Sequence, residues 1–199
     1  MRGLRFAAEL LAALGHEVEE AQPAFPDPSV LEIFLQVYGP AVGLGIQYGV
    51  LLNGRDPEGD EIEPHSRALF ERAKATPSIG YLGAVAQLQA LARGIVAFFA
   101  DYDVLVTPAL AERPLRIGEC NGLGDRPLED LARSGHFTPY GSLFNVTGQP
   151  AINVPVGFGQ DGLPTGVQIV GKPLGEDTLL QLAAQIEAAH PWVHKRPEL

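Results

Sequence analysis

The feature that most constrains the fold of this chain is a change of hydrophobic period between residues 78 and 108. After Ser78, residues recur close to one helical face at Leu82, Val85, Gln89, Ala92, Val96 and Phe99. The short apolar run Val104-Leu105-Val106 follows, and Pro108 ends it, which is the pattern of a buried strand. A helix that leads into a buried strand predicts stacked layers of helix and sheet, and therefore an α/β fold.

Two more strand patterns and an N-terminal helix fit this class. The segments from Ile152 to Val156 and from Thr165 to Val170 are strand-like. The turn region from Gly157 to Gly162 separates them, so we expect an antiparallel hairpin. The helix that begins near Leu4 should end at Gly15, because glycine supplies the left-handed cap that ends many helices.

The centre of the chain predicts two helices rather than one. Ser29 can cap a helix that runs from Val30 towards Tyr38, and Pro40 should interrupt it. A second helical stretch then runs to about Leu52. We therefore expect a break in the middle of this apolar segment.

Two expectations concern the second half of the chain. The segment from Ala109 to Ser134 contains Gly118, Gly122 and Gly124 and should be rich in loops. The last helix has apolar residues at helical spacing from Leu179 to Ala189, with His190-Pro191 at its end. Asp177 or Thr178 should cap this helix.

The size and composition are those of one globular domain. The chain has 199 residues, of which 46% are hydrophobic and 19% are charged. That balance permits one good hydrophobic core and is not typical of a disordered segment. We therefore expect residues 1–199 to form a single domain.

The charge and the cysteine content narrow the partners and the compartment. The formal net charge is −10, so the surface should repel nucleic-acid phosphates and anionic membranes. Cys120 is the only cysteine, which excludes an intrachain disulfide and fits a reducing cytoplasm. The N-terminus does not resemble a signal peptide. The segment from Val30 to Leu52 contains Glu32, two glutamines and four glycines, so we interpret it as buried helix and not as a membrane span.

No arrangement of residues in this sequence indicates catalysis strongly. None of the five serines lies in a Gly-x-Ser-x-Gly motif. Asp130, Ser134 and His136 lie close in sequence, but a plain polar loop explains them better than a catalytic triad. The three lysines, Lys74, Lys172 and Lys195, are typical of solvated side chains.

Sites for a metal or a nucleotide are also not indicated. His190 and His194 are separated by Pro191-Trp192, so they do not share one continuous helix face. The glycine-rich segment from Gly118 to Asp125 does not join a strand directly to a helix, as a phosphate-binding loop does. We expect a flexible loop there, and no cofactor.

Five motifs in one order resemble the amidase-signature family of hydrolases. They are Asp103-Val104-Leu105-Val106-Thr107-Pro108-Ala109, Phe137-Thr138-Pro139, Phe144-Asn145-Val146-Thr147-Gly148-Gln149-Pro150-Ala151 with Ile152-Asn153-Val154-Pro155-Val156-Gly157 after it, the segment from Gly162 to Gly171, and Glu176-Asp177-Thr178-Leu179-Leu180. The helix from Ala7 to Leu14, with Gly15-His16-Glu17-Val18 after it, is similar to the helix that precedes the family's variable middle. The segment from Asp27 to about Leu91 is generic.

The resemblance implies an α/β fold with a large mixed sheet and helices on both faces, of which this chain is the C-terminal portion. It implies hydrolysis of a carboxylic amide by a Ser–cis-Ser–Lys mechanism, which requires no cofactor. The family's catalytic residues lie in a Gly/Ser-rich N-terminal half that this sequence lacks. No catalytic residue is therefore carried over to this chain.

What the resemblance leaves for this chain is the wall of the substrate pocket. Thr107 and Pro108 follow the carboxyl end of a strand, where open α/β sheets place ligands. By analogy, Phe137, Thr138, Pro139 and Asn145 lie near that turn and line or brace the pocket of the complete enzyme. The alternative is a purely structural role, with Asn145 bonded to backbone in a turn and Phe137 in the core.

Three functional interpretations remain open. The chain is an amidase fragment that is inactive alone, or a standalone module that binds a ligand or pairs with a separate chain. A third is residual hydrolysis by residues of this chain. The small-molecule amide would be the partner of the complete enzyme, with no role for nucleic acid or membrane. An exposed apolar face and an open strand edge should favour self-association, or pairing with the missing N-terminal half.

Overall fold

The computed structural model describes residues 2–24 and 30–195. They separate into two compact units. The sheet unit comprises the described parts of 1–25, 92–112 and 138–199, and the helical unit those of 26–91 and 113–137. The predicted capping role of Ser29 and the start of the variable segment at Asp27 lie outside the described residues.

The sheet unit contains a three-stranded antiparallel sheet in the order β1-β3-β2. The strands are β1 (Val104–Pro108), β2 (Ala151–Phe158) and β3 (Pro164–Gly171). The β2–β3 pair confirms the expected hairpin, and β1 pairs with the other side of β3. Central β3 is buried from Val167 to Gly171, as a strand with neighbours on both edges should be.

The core of the sheet unit lies between one face of the sheet and two helices. The helices are α1 (Arg2–Ala13) and α7 (Glu176–Ala189). The buried members of this core are Ala7, Leu11, Val154, Val156, Val167, Ile169, Leu179, Leu182 and Ile186. Gly15 has φ +95°, which confirms the left-handed end expected after α1.

The beginning of α7 differs from the expectation. The helix starts at Glu176 and its N-cap is Gly175, so neither Asp177 nor Thr178 is the cap. Glu176 and Asp177 instead lie in the first turn, where carboxylates interact favourably with the positive end of the helix dipole. A first-turn acid and a capping acid are one residue apart, and their local sequence signals are the same.

The helical unit is built around α2 (Val30–Asn53) and α3 (Pro64–Ala75). Helix α2 is continuous, so the break expected at Pro40 is wrong. An internal proline costs about 3 kcal/mol of helix stability, and the close packing of α2 on α3 offsets that cost. The contact is close because Gly39 and Gly43 present no side chain to α3, and a Cβ at Gly43 would lie 2.8 Å from that of Ala73.

Two further helices complete the helical content near this unit. Helix α4 (Ser78–Phe98) passes from the helical unit into the sheet unit, and α5 (Pro127–Phe137) lies in the helical unit. The expectation of loop from Ala109 to Ser134 is therefore wrong over α5. The sequence signal for it is present, since Pro127 occupies the first position and Glu129 and Asp130 the first turn.

Polar contacts hold the loop between α2 and α3. The guanidinium of Arg67 donates to the carbonyls of Pro57 and Gly59 at 3.1 and 3.0 Å. Arg55 donates to Glu61 at 2.8 Å, and this hydrogen bond lowers the pKa of the Glu61 carboxyl to about 2. The surface loop expected from Arg55 to Pro64 therefore has a defined shape.

Helices α2 and α4 are each long and apolar enough to cross a membrane by length and composition alone. This differs from the expectation that no segment would meet those criteria. The interpretation of residues 30–52 as buried helix is also wrong for most of the helix surface, because Leu44, Tyr48, Leu51 and Leu52 are 58 to 85% exposed. Core helices of soluble proteins meet the same criteria of length and composition.

Candidate functional site

A row of three polar side chains crosses the sheet. Thr107 of β1 lies opposite Gln168 of β3, and Gln168 lies opposite Asn153 of β2. The neighbouring residues Val106 and Ile152 belong to the apolar core on the other face. Because side chains alternate along a strand, Thr107, Gln168 and Asn153 project from the face opposite that core. We call them the polar row.

Burial and hydrogen bonding make the polar row unusual. Thr107 and Gln168 are 5% and 8% exposed, whereas Asn153 is exposed. Within the described structure, Thr107 Oγ1 and Gln168 Nε2 are buried without a hydrogen-bond partner. An unpaired buried polar group costs roughly 1–3 kcal/mol, so native proteins contain few of them. The row is therefore the best candidate in this unit for a surface that hydrogen-bonds a further group.

The chemistry of the polar row is that of recognition. A hydroxyl and two carboxamides can donate and accept hydrogen bonds, but none of them titrates near neutral pH. A nucleophilic hydroxyl requires an adjacent base, and Thr107 Oγ1 has no hydrogen-bond partner among the described residues. The row can orient a carboxamide or a peptide backbone, but its geometry gives no acid–base chemistry.

The turn that precedes β2 explains one of the sequence motifs. Helix α6 (Gly141–Thr147) ends at Gly148, whose φ of +70° is the left-handed conformation of a glycine cap. Gln149 Nε2 then donates to the carbonyl of Gly171 at 2.7 Å, and the Gly171 N–H donates to the carbonyl of Pro150 at 3.0 Å. The Thr-Gly-Gln-Pro segment thus ties the end of α6 to the end of β3.

The predicted pocket residues occupy three places in the chain. Thr107 and Pro108 end β1, Thr138 and Pro139 lie half-buried in the connection from α5 to α6, Asn145 is exposed on α6, and Phe137 is the last residue of α5 in the helical unit. Of these, only Thr107 contributes to the polar row. That the six residues line one pocket remains a prediction.

The alternative catalytic group on α5 is not assembled. Ser134 and His136 are two positions apart on this helix, and residues at that spacing do not face each other. The Asp130 carboxylate accepts the Gly122 N–H at 2.9 Å, which anchors the glycine-rich loop. The loop thus serves the packing of the helical unit, where Gly122 closely approaches the ring of His65.

The lysines and the metal-binding residue types have ordinary surroundings. Lys172 pairs with Asp103 at 2.9 Å, and Lys74 pairs with Glu71 at 3.0 Å, all with partly exposed side chains. These contacts agree with the interpretation of both as solvated lysines. Over residues 2–24 and 30–195, no three His, Cys, Asp or Glu side chains come close enough to hold a metal ion.

Two glutamines were not among the predicted site residues. Gln168 has a sequence signal that identifies it, because it is the one polar residue in the run Val167-Gln168-Ile169-Val170, and a polar residue in a buried strand needs a partner. Gln149 has no such signal. Its role depends on the carbonyl of Gly171, which only the fold brings within reach.

Comparisons with known proteins agree on one family. The family model described as Amidase matches residues 1–180. The chain is 37% identical over 202 residues to a 6-aminohexanoate-cyclic-dimer hydrolase of a Pseudomonas species, covering 98% of this chain and 41% of that protein. It is 36% identical over 200 residues to a putative amidase of Mycobacterium tuberculosis, covering 97% and 40%.

Solved structures agree with these relatives. A structure of 6-aminohexanoate cyclic dimer hydrolase superposes with a TM-score of 0.90 at 35% identity, over 99% of this chain and 42% of that one. A bacterial aryl acylamidase shares the fold with a TM-score of 0.78 at 21% identity. These superpositions confirm the α/β fold. The chain spans about two-fifths of the length of the relatives it matches, which is consistent with a C-terminal portion.

Proposed function

Because this chain belongs to the amidase family, we propose that it is the C-terminal portion of an enzyme that hydrolyses a carboxylic amide. The observation that carries the proposal is the match to the family over residues 1–180 together with a superposition over 99% of the chain. The companion portion would supply the Ser–cis-Ser–Lys group, with one serine as the nucleophile that attacks the amide carbonyl. In this proposal residues 1–199 act as one functional portion of the enzyme, and no cofactor is needed.

The role proposed for this chain is to shape and brace the substrate pocket. Thr107 and Pro108 end a strand of the sheet, and the buried Thr107 hydroxyl has no partner within the described residues. Asn145 is exposed on α6, so its carboxamide is accessible to a group outside this chain. Phe137, Thr138 and Pro139 would contribute apolar and polar wall where α5 leads into α6.

The substrate is proposed to be a small-molecule amide. Two of the relatives are named for hydrolysis of the cyclic dimer of 6-aminohexanoate, at 37% and 36% identity to this chain. That cyclic diamide is therefore the first substrate to test. We also propose the cytoplasm as the compartment, which the single cysteine supports.

The activity test joins this chain to a companion portion. In a chimera, this chain replaces the stretch of the Pseudomonas hydrolase that it matches. We expect the folded chimera to hydrolyse the cyclic dimer, with release of 6-aminohexanoate oligomer followed by chromatography, and the isolated chain to release none. A chimera that melts cooperatively and shows no hydrolysis of this or other small amides contradicts the proposal and favours the non-catalytic module instead.

The chimera also tests the pocket role of Asn145. We expect Asn145→Ala to lower kcat/KM about tenfold, equivalent to about 1.4 kcal/mol of transition-state stabilisation. Gln181→Ala, an exposed change on α7, should leave kcat/KM unchanged. If Asn145→Ala changes neither the melting temperature nor kcat/KM, Asn145 does not line or brace the pocket.

We further propose that the isolated chain self-associates in solution. Leu44, Tyr48, Leu51 and Leu52 are exposed at spacings that place them on one face of α2, and an apolar stripe of this kind favours association. Light scattering should show dimers or larger species at micromolar concentrations. Leu51→Glu should shift the population towards monomer, whereas Gln160→Glu adds the same charge in an exposed turn and should not. A monodisperse monomer over a wide concentration range would contradict this expectation.

A further inference from the structure

Two backbone hydrogen bonds establish which groups of β2 point away from the sheet. The Ala109 N–H donates to the carbonyl of Gly166 at 3.3 Å on the β1 side, and the Gly171 N–H donates to that of Pro150 at 3.0 Å on the β2 side. In an antiparallel ladder, the N–H and C=O of one residue point to the same neighbouring strand, and successive residues alternate. The backbone groups of Gly166 and Gln168 therefore face β1, and those between them face β2.

The same alternation, carried through the register, gives the free groups of β2. Ile152 and Val154 lie opposite Ile169 and Val167, so their backbone groups bond to β3. The N–H and C=O groups of Ala151 and Asn153, and the C=O of Pro155, point away from β3. We call these five groups the outer edge of β2. In the described part of the chain, β2 pairs with β3 alone.

The position of Pro155 is informative. A proline within a sheet is tolerated where its missing N–H would not have joined the ladder, and the alternation places Pro155 so that no bond to β3 is lost. The proline also limits the outer edge, because a strand that pairs there finds donors at Ala151 and Asn153 but not at residue 155. The edge thus offers a short segment of alternating donors and acceptors, suited to one strand in one register.

Burial distinguishes this edge from the other one. In the polar row, Thr107 of β1 and Gln168 of β3 are buried, whereas Asn153 of β2 is exposed. The next row, towards the start of β2, repeats this gradient and ends at the exposed Ala151. The cover over this face therefore stops at β3, and the uncovered sheet lies along β2.

We propose that a β-strand of the companion amidase portion adds to the sheet along the outer edge of β2, with the backbone of Asn153 at its centre. The inference rests on the proposed function, in which a companion portion exists. The free groups are backbone donors and acceptors at strand spacing, which a strand satisfies and a helix does not. Most of the length of the Pseudomonas hydrolase lies outside the stretch that this chain covers, and it can supply such a strand.

A second copy of this chain fits the edge less well. If two β2 edges paired antiparallel about Asn153, each Pro155 would fail to donate to the facing strand. Each chain also carries a net charge of −10, so two copies repel each other. The companion strand is therefore the occupant that we test.

The test compares Asn153→Pro with Asn153→Ala. Both remove the side chain, but only proline removes the outward N–H. Each variant of the full chain is co-expressed with the tagged segment of the Pseudomonas hydrolase that this chain does not cover, and the affinity of the purified pair is measured. We expect the alanine variant to bind within about threefold of the original chain. The proline variant should bind at least tenfold more weakly, as is appropriate for a lost ladder bond and a misplaced strand.

Two further measurements separate docking from folding and from catalysis. In the isolated chain the two variants should melt within a few degrees of each other, because the outward N–H has no partner there. In the joined chimera, which does not depend on the companion segment being soluble alone, the proline variant should lower the melting temperature and the alanine variant should not. Binding and melting that follow this pattern support the docking edge even if the chimera hydrolyses nothing, an outcome that would contradict only the proposed function.

Several results would overturn the docking edge. Equal affinities of the two variants for the companion, with equal chimera melting temperatures, would show that the outward N–H of Asn153 is not used. Failure of the original chain both to bind the companion and to form a folded chimera would also reject it. So would a dimer of the isolated chain that Asn153→Pro dissociates while companion binding stays intact.

Discussion

Replacing Ile169 by alanine should destabilise the sheet unit by about 2–5 kcal/mol, the range for large-to-small changes in a well-packed core. Ile169 is 0% exposed and lies in β3, opposite Val106 on one side and Ile152 on the other. Its side chain belongs to the core shared with α1 and α7. The change would leave a cavity that three strands and two helices surround, and such a site collapses poorly because the sheet register holds its walls apart.

Urea unfolding monitored by circular dichroism measures this effect. Ile169→Val removes one methyl group and should cost about 0.5–1.5 kcal/mol, which gives a graded series. Leu180→Ala provides the control, because Leu180 is 64% exposed on α7, and surface changes usually stay within about 0.5 kcal/mol. If Ile169→Ala and Leu180→Ala shift the unfolding midpoint equally, the core described for the sheet unit is wrong.

Gly43→Leu should disrupt the helical unit. A Cβ at Gly43 would lie 2.8 Å from the Cβ of Ala73 and 3.6 Å from the ring of Phe70, and both belong to α3. Overpacking of this kind typically costs about 1–3 kcal/mol, and a leucine adds three more carbons beyond the Cβ. The gain of about 0.5–1 kcal/mol from removing a glycine within a helix offsets only part of that cost.

The same helix offers a matched control for Gly43. Gly45 lies two residues further along α2, and a Cβ added there would have no atom within 4 Å beyond its own helix backbone and chain neighbours. Gly45→Leu should therefore be neutral or stabilise the helix by up to about 1 kcal/mol. The measured quantity is the difference in the midpoint of thermal unfolding between the two variants, followed by the helical signal. Equal midpoints would mean that α2 does not pack on α3 through Gly43.

Local sequence patterns were sufficient for most elements of the sheet unit. Alternating apolar residues predicted β2 and β3, and the short distance between them predicted their antiparallel pairing. The start of the polar connection at Gly15 followed from the conformational freedom of glycine. These features depend on residues close together in the chain, so the sequence carries them directly.

Predictions for the helical unit failed where packing overrides local preference. The continuity of α2 through Pro40 depends on the contact with α3, which lies outside any local window. Helix α5 was obscured because its glycine-rich approach has the composition of a loop, although Pro127 and the two acids after it mark the start of the helix. Composition over a long window was a weaker guide there than the few residues at the helix terminus.

By itself, the sequence determined the order of the motifs, the α/β class and the resemblance to amidases, and it placed Thr107 at the end of a strand. Only the tertiary structure decided that Thr107, Gln168 and Asn153 form one row, and that Asn153 lies on an open edge. The physical reason is that hydrophobic period is a local property of the chain. Strand register, the direction of backbone groups and the burial of a polar atom are set by residues that are distant in sequence.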